Sequence, residues 1–598
     1  MHIQNPCANT TVSGVISDCG ASGTACLNQG STGGSLVKVG SGTLTLSGSN
    51  SYTGATIVNG GVLQVDGSIA PSPLTTVNAS AALSGTGMVG NTTVAGGGTL
   101  APGNGTPGTS LTVSGSLALL SGAQYLVSLN PTTSSFATVT GTATLGGATV
   151  NAVFATGSYV AKQYTILSAG TVSGSFGALV NTNLPSSFTT SLSYDPTHAY
   201  LNLALSFGGP SSGSGHNVNQ QNVANALSNS FNSNGGIPLL YASLTPAGLT
   251  QASGELGTSP QQTTFDAMGM FLNLLTDPFM GRGSGINGST GSTGYAEERE
   301  ASAYAMFVKA PPAVFVPRWS VWAAGYGGSQ STDGDPRLGS NDTTSRIAGT
   351  AVGADYVFSP DTLAGFALAG GGTSFSVNNL GSGRSDLFQA GAYLRHTEGP
   401  AYVTAALAYG WQDITTNRTV SIAGLDQLRA EFNANAYSGR VEGGYRFVAP
   451  WTGGIGITPY AAGQFTTFDL PAYTESVVTG SPAFALAYAG KSVTDARSEL
   501  GIRSDKSFAV PNGILTLRGR LAWAHDYDPN RSIGATFQAL PGASFVVNGA
   551  AQASDSALTT ASAELQWTNG WSAAATFEGE FSNVTRSYAG KGVVRYAW

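Results

Sequence analysis

Only one pair of residues in the N-terminal third of this 598-residue chain has the types and spacing for acid–base work: Asp195 and His198, in Tyr194-Asp195-Pro196-Thr197-His198. A catalytic triad needs a nucleophile, a base and an orienting acid within hydrogen-bond reach. Here the acid and base share a proline-bearing turn between strand-like runs, and no G-x-S-x-G elbow accompanies them. The remaining inventory is sparse. Up to Phe207 the acids are Asp18, Asp66 and Asp195, the bases are Lys38, Lys162, His2 and His198, and there is no Glu and no Arg. Two matches to G-x-G-x-x-G, at Gly85/Gly87/Gly90 and Gly103/Gly105/Gly108, open no helix of a βαβ unit and are expected to be corners between strands. Cys7, Cys19 and Cys26 fit no zinc spacing, and a small-loop disulfide plus one free thiol is expected of them. No catalytic residue, cofactor or metal is expected, and the chain is not predicted to be an enzyme.

The charges of the C-terminal half are organised differently. Arg440, Glu442 and Arg446, then Asp495, Arg497, Glu499 and Arg503, then Arg518 and Arg520, then Glu564, Glu578, Glu580, Lys591 and Arg595 recur at every second or fourth position of strand-like runs. The intervening positions are aliphatic or aromatic, as in Tyr588, Gly590, Gly592, Val594, Tyr596 and Trp598, or in Trp571, Ala573, Ala575, Phe577, Gly579 and Phe581. A period of two is that of a β-strand with two unlike faces. An Arg or Lys turned to lipid at mid-membrane costs about 2–4 kcal/mol, so the ionic face is expected to line a wet lumen. Arg440, Glu442, Arg446, Arg497, Glu499, Arg503, Arg518, Arg520, Glu578, Glu580, Lys591 and Arg595 are the lumen-facing candidates, with Glu578 and Glu580 set opposite Arg595 and Lys591.

The elements that position these residues follow from composition and spacing. Only 9% of residues are charged and 83 are glycine, which suits short strands and tight turns. No apolar run reaches the ~20 residues of a membrane helix, so a membrane protein of this sequence must be a closed barrel. The net charge of −7, without a basic stripe, points away from nucleic acid. Twelve spanning strands are predicted between Arg318 and Trp598. A thirteenth run, Ile533–Val547, is assigned to a hairpin in an outer loop, because single-chain bacterial barrels have even strand numbers. Ser329–Thr344, Ile414–Glu431, Asp469–Ser492 and Asp528–Ser556 are expected as long outward loops, and Pro360-Asp361, Glu398-Gly399 and Asn569-Gly570 as short inner turns. Residues 1–207 carry short strand runs spaced as in a β-solenoid, with Leu44, Leu46, Ile57, Val58, Leu63 and Val65 lining its core. A linker over 208–317, bounded by a Gly/Ser/Pro-rich start, carries helices near 217–234 and 260–276. For the second helix a position outside the barrel or in the periplasm, packed on its apolar face, stays open beside one in the lumen.

Gly42-Thr43-Leu44-Thr45-Leu46-Ser47-Gly48-Ser49-Asn50-Ser51-Tyr52-Thr53-Gly54, followed by Gly60-Gly61-Val62-Leu63-Gln64-Val65, resembles the passenger-associated transport repeat of autotransporters. Leu249-Thr250-Gln251-Ala252-Ser253-Gly254-Glu255-Leu256 is similar to the segment before the autotransporter barrel, and Gly353-Ala354-Asp355-Tyr356, Leu521-Ala522-Trp523-Ala524-His525 and Arg595-Tyr596-Ala597-Trp598 resemble its β-domain. The resemblance implies an all-β chain: a right-handed β-solenoid forming part of a passenger, a short helical linker, and a 12-stranded antiparallel transmembrane barrel. It implies type V secretion, with the barrel anchored in the bacterial outer membrane and exporting its own passenger to the cell surface as an adhesin or scaffold. A porin-like channel with an unrelated N-terminal domain, or a surface-displayed enzyme, are the competing functions. Implied partners are outer-membrane lipid, the barrel-assembly machinery, periplasmic chaperones and a host or surface ligand of the passenger. Val594, Tyr596 and Trp598 resemble the signal read by the assembly machinery, from which Gly590 and Gly592 depart. A signal peptide and further rungs are expected upstream of Met1.

Overall fold

The computed structural model describes residues 2–4, 9–18, 30–155, 157, 159–207, 215–277, 318–448 and 454–598. Cys7, Cys19, Cys26 and residues 281–317 of the expected linker lie outside the described residues. The chain divides into two compact units, 1–215 with 227–245, and 216–226 with 246–598.

The first unit is a stack of short parallel strands. Leu44, Leu63, Leu83, Leu100, Tyr125 and Val150 are in-register neighbours on successive strands, and each is fully buried. A second column runs Leu36, Thr56, Thr75, Thr92, Leu117, and a third runs Ser68, Met88, Thr112, Thr138, Ser168. No strand here could bury its apolar side alone; stacking gives each a neighbour above and below, and each buried Leu or Val contributes about 1.5–3 kcal/mol. Leu44, Leu46, Val58, Leu63 and Val65 lie in the core as expected. Ile57 does not: strand alternation points Thr56 and Val58 inward and Ile57 outward. The inward Thr56 hydroxyl is satisfied by Tyr52 Oη at 2.7 Å and Ser72 Oγ at 2.9 Å. The two glycine triplets sit at corners of this stack, where Gly85 N donates to Gly103 O. The parallel order stops at Gln163–Ser173, which pairs parallel with Phe136–Thr144 but antiparallel with His198–Leu205, itself antiparallel to Phe188–Tyr194.

The described part of the linker expected over 208–317 is divided between the two units. Gly236–Pro238 adds a strand to Tyr159–Ala161, and Phe231 packs edge-on against Phe188, so 227–245 belongs with the solenoid unit. Helix α1 is Val218–Asn234; α2 (Pro246–Ala252) and α3 (Ser259–Thr276) follow.

Twelve antiparallel strands form the barrel: β1 (Arg318–Thr332), β2 (Thr343–Ser359), β3 (Thr362–Val377), β4 (Gly381–Glu398), β5 (Ala401–Val420), β6 (Asp426–Tyr445), β7 (Gly456–Leu470), β8 (Lys491–Val510), β9 (Gly513–Asp526), β10 (Asp555–Trp567), β11 (Trp571–Phe581) and β12 (Thr585–Ala597). Each pairs with the next, β12 pairs with β1, and β6 pairs with β7, so the cylinder closes without an edge. Backbone groups in hydrocarbon leave no other arrangement of strands. The outward face carries Val352, Phe366, Leu407, Val441, Leu500 and Leu521, all about half exposed or more in the lipid-free chain. The expected outer loop Ile414–Glu431 is instead mostly strand: β5 and β6 run 20 residues each and are joined by 421–425. Since ~9–11 residues span a bilayer, this hairpin projects well beyond it. The hairpin expected at Ile533–Val547 forms as Ser532–Phe537 and Ser544–Asn548, and joins Leu486–Tyr488 and Tyr473–Thr474 in a separate four-stranded sheet.

Candidate functional site: the barrel lumen and its plug

α3 is seated against the inward faces of β2 to β7. Pro260 in its first turn needs no hydrogen-bond acceptor for its nitrogen, and Thr263 and Thr264 return their hydroxyls to Ser259 O and Pro260 O. Its apolar side, Met268, Phe271, Leu272 and Leu275, is fully buried. A hydrophobic helix is compatible with this lumen because the wall it meets is small and apolar: Ala367, Ala369, Ala406, Ala408, Ala434 and Ala436 point inward there and are buried. Two inward glycines admit the bulkiest side chains. A Cβ on Gly391 would stand 2.5 Å from Leu275 Cδ1 and 3.0 Å from Phe271 Cε1, and one on Gly410 2.7 Å from Met268 Sδ. Polar wall residues fix the register of the helix: Gln389 Nε2 donates to Ala267 O at 3.1 Å and Gln412 Nε2 to Thr264 Oγ1 at 2.9 Å. At its end Asp277 pairs with Lys591 of β12 at 2.8 Å.

The ionic residues line the wall from β6 round through β8 to β12. Arg440 contacts Glu442 at 2.9 Å and Glu499 at 2.8 Å, with both of its partners almost wholly buried. Glu442 also accepts from Arg503 at 2.8 Å and from Tyr402 Oη at 2.8 Å, and the Arg503 guanidinium lies 3.8 Å over the Tyr460 ring. Arg497 pairs with Glu580 at 2.7 Å, Arg518 with Glu564 at 2.5 Å, Lys591 with Glu578 at 3.0 Å, and Arg520 donates to Thr560 Oγ1 at 2.9 Å. Arg595 donates to Ser320 Oγ, and Arg446 pairs with Asp505 at the partly exposed rim. The expected pairing of Glu580 with the Lys591/Arg595 strand does not form: the register sets Arg595 opposite Ser572 and Glu580 opposite Ser587, so Glu580 turns across to Arg497. Between α3 and this wall lies a cavity of about 110 Å³, lined by Gln262, Asp266, Asn273, Arg497, Arg520 and Glu580 among others.

The Ser253-Gly254-Glu255 segment, legible in the sequence, is received by a socket built from residues far along the chain. Gly254 adopts φ 72°, and a Cβ there would lie 2.3 Å from Leu486 Cδ1 and 2.5 Å from Tyr488 Oη. Tyr488 donates to Gly254 O at 3.0 Å and stacks on Tyr473, which stacks on Phe432. Glu255, fully buried, accepts from Asn341 N at 2.7 Å and Asn341 Nδ2 at 2.5 Å. Burial pushes its carboxyl up to about 7, against the pull of those two donors. Arg418 clamps Glu475 through two hydrogen bonds of 2.8 and 2.6 Å and donates to Gln251 O. Arg418 shares an inward face with Gln412, a spacing that assigning 414–431 to a loop concealed. The hairpin 532–548 closes the same end: Ser532 O accepts from Gln261, and Arg531 donates to Gln262 Oε1 and lies over Phe265.

His198 and Asp195 meet as a turn. Asp195 Oδ1 accepts from Thr197 N and His198 N, both at 2.7 Å, and Oδ2 accepts from Tyr200 Oη at 2.8 Å. These donors, the Thr197 amide foremost, hold the Asp195 carboxyl far below the usual range. Val594 and Trp598 are exposed on the outer face of the closing strand, and Tyr596 stacks on Trp598 with ring centres 5.8 Å apart.

Two stretches of the chain match family models. Residues 321–578 match the autotransporter beta-domain, and residues 36–65 match the passenger-associated transport repeat. An extracellular serine protease of Serratia marcescens is 25% identical over 550 residues, covering 83% of this chain; the chain spans about half (49%) of that relative's length. Among solved structures, the translocator domain of the autotransporter NalP from Neisseria meningitidis superposes with TM-score 0.42 at 14% identity, covering 57% of this chain and 99% of that one. The beta domain of the Bordetella autotransporter BrkA gives TM-score 0.37 at 17% identity, covering 47% and 100%.

Proposed function

Taking this chain as an autotransporter of the outer membrane, the family to which its two matched modules assign it, we propose that the barrel passes its own N-terminal solenoid outward and is then stoppered by α3. The observation that carries this reading is the fit of α3 to a wall of alanine and glycine, with an ion-paired wall facing its polar side. A chain in transit meets small side chains on one side. On the other it meets charges already engaged with one another, so neither wall holds it strongly. Stacking of the rungs outside then buries apolar area that a threaded chain cannot bury, which favours net movement outward without a nucleotide. The passenger serves at the surface as an adhesin or scaffold, binding through shape. The closing residues Val594, Tyr596 and Trp598 serve as the assembly signal.

The test places a protease site in an exposed corner of the solenoid and treats intact cells with protease. Cleavage on intact cells is expected; cleavage only after the outer membrane is opened would refute export. The channel reading is separated by conductance: the purified chain should pass little steady current, and removal of 259–276 should raise it. Large currents with α3 in place would favour the channel. An enzymatic passenger is favoured by one observation, the name of the Serratia relative. Hydrolase activity of the intact protein that His198→Ala abolishes would establish it.

A further inference from the structure

The outward face of the barrel changes character at the end bearing the four-stranded sheet. On β4 and β5 the last outward aromatic residues, Phe388 and Trp411, are cross-strand partners. Beyond them the outward positions become Asp386 with Asp413, then Arg384 with Thr415. Arg384 pairs in register with Ser374 of β3, Ser374 with Arg346 of β2, and Arg346 with Ser329 of β1. Ser329 in turn pairs with the outward aromatic Tyr588 of β12, and one step beyond Tyr588 stands Arg586, opposite Ser331. An arginine therefore projects from every second strand, β12, β2 and β4, at about 10 Å intervals, with serine hydroxyls on the strands between.

All three arginines are exposed, while their sequence neighbours Thr585, Ser345, Ile347, Gly383 and Ser385 are buried toward the lumen. Among the described residues none of the three has a side-chain hydrogen bond or ion pair, unlike Arg429 farther out, which is engaged by Glu431. A guanidinium cannot rest in hydrocarbon at this cost, so these three sit at the level of the headgroups, past the aromatic girdle, with Asp386 between Phe388 and Arg384. Fifteen N–H donors and three hydroxyls turned outward suit phosphate oxygens, which arginine binds through paired N–H groups. Asp386, two residues from Arg384 on the same outward face, and Asp413 opposite it border the patch toward the girdle, the exposed Asp333 and Asp342 stand at the ends of β1 and β2, and the far side of the same rim carries the exposed Asp469 and Asp555.

We propose that Arg346, Arg384 and Arg586, with the serines between them, bind the phosphate groups of an anionic glycolipid in the outer leaflet. The site orients the barrel toward one lipid and holds that lipid in place. Detergent-solubilised full-length protein is titrated with bisphosphorylated lipid A and with the same lipid stripped of phosphate, and retention is read by native mass spectrometry. At about fivefold per arginine, or ~1 kcal/mol each, the phosphorylated lipid should bind wild type about 100-fold more tightly. R346Q/R384Q/R586Q should lose that preference and R429Q should keep it, both remaining heat-modifiable barrels on gels. Equal binding of the two lipids by wild type overturns the proposal without recourse to any variant. Retained discrimination by the triple variant, or equal competition by inorganic phosphate, overturns it as well.

Discussion

Glu442 joins two arginines and a tyrosine at a buried point of the lumen wall, and removing its carboxylate is the sharpest test of how dry that wall is. Its side chain is 1% exposed and takes contacts of 2.9 Å from Arg440, 2.8 Å from Arg503 and 2.8 Å from Tyr402. In Glu442→Ala, Arg440 retains Glu499 at 2.8 Å, whereas Arg503 loses the carboxylate that it contacts at 2.8 Å and is left beside Tyr402 and the face of Tyr460. A buried charge stripped of its partner costs about 3–5 kcal/mol, whereas replacing both partners with apolar groups is often neutral. The single variant should therefore lose about 3–5 kcal/mol in guanidinium unfolding of the detergent-held barrel, at least a hundredfold in the folding equilibrium. Arg503→Leu alone should lose less, since Glu442 keeps Arg440. Glu442→Leu with Arg503→Leu should recover part of the loss, giving a coupling energy of about 2 kcal/mol or more. Additive losses, or a single-variant loss below about 1 kcal/mol, would refute the reasoning, because water would then be screening the network as it screens surface pairs.

Gly254→Ala would place a methyl against Leu486 and Tyr488 and force a left-handed residue to carry a Cβ, costing about 1–2 kcal/mol before the collision is counted. The mouth should loosen, seen as raised conductance of the purified protein with the barrel still folded; unchanged conductance would show that the socket does not seal. The Glu255 carboxyl lies at about 7 in the folded chain against 4.5 unfolded, with Asp342 nearby adding to the upward push of burial. A folded value raised in this way contributes stability that is complete below pH 4.5 and is lost as pH rises through 7, by about 3 kcal/mol in all. Hydrogen exchange around 250–258 should therefore quicken between pH 5 and 8 beyond its intrinsic rise, and Glu255→Gln should flatten that excess. Tyr125→Phe removes a buried hydroxyl that donates to Ile166 O at 2.5 Å and accepts from Ala137 N at 3.1 Å, leaving two backbone groups unsatisfied. A loss of about 1–3 kcal/mol is expected, read as faster exchange at Ala137 and its neighbours; protection equal to wild type would mean that water takes the vacated place.

Period and composition alone determined a great deal of this chain. Charged residues at alternate positions opposite aliphatic and aromatic ones dictate strands with a wet and a greasy face, and hydrocarbon admits such strands only as a closed cylinder. Short runs such as Thr43–Leu46 and Gly61–Val65, too brief to fold alone, dictate stacking. What the order of residues could not supply was which distant groups meet. Glu580 turns to Arg497 because the register of β11 on β12 sets Arg595 against Ser572. Arg418 finds Glu475 only because β5 continues past the bilayer and a loop folds back over it. The apolar face of α3 was legible as a helix with one greasy side, yet its home was undetermined until inward alanines and glycines from β3 to β6 converged into one strip. Alternation along a strand is local and survives in the sequence; pairing across the lumen depends on strand register and barrel closure, which arise only when all twelve strands are in place.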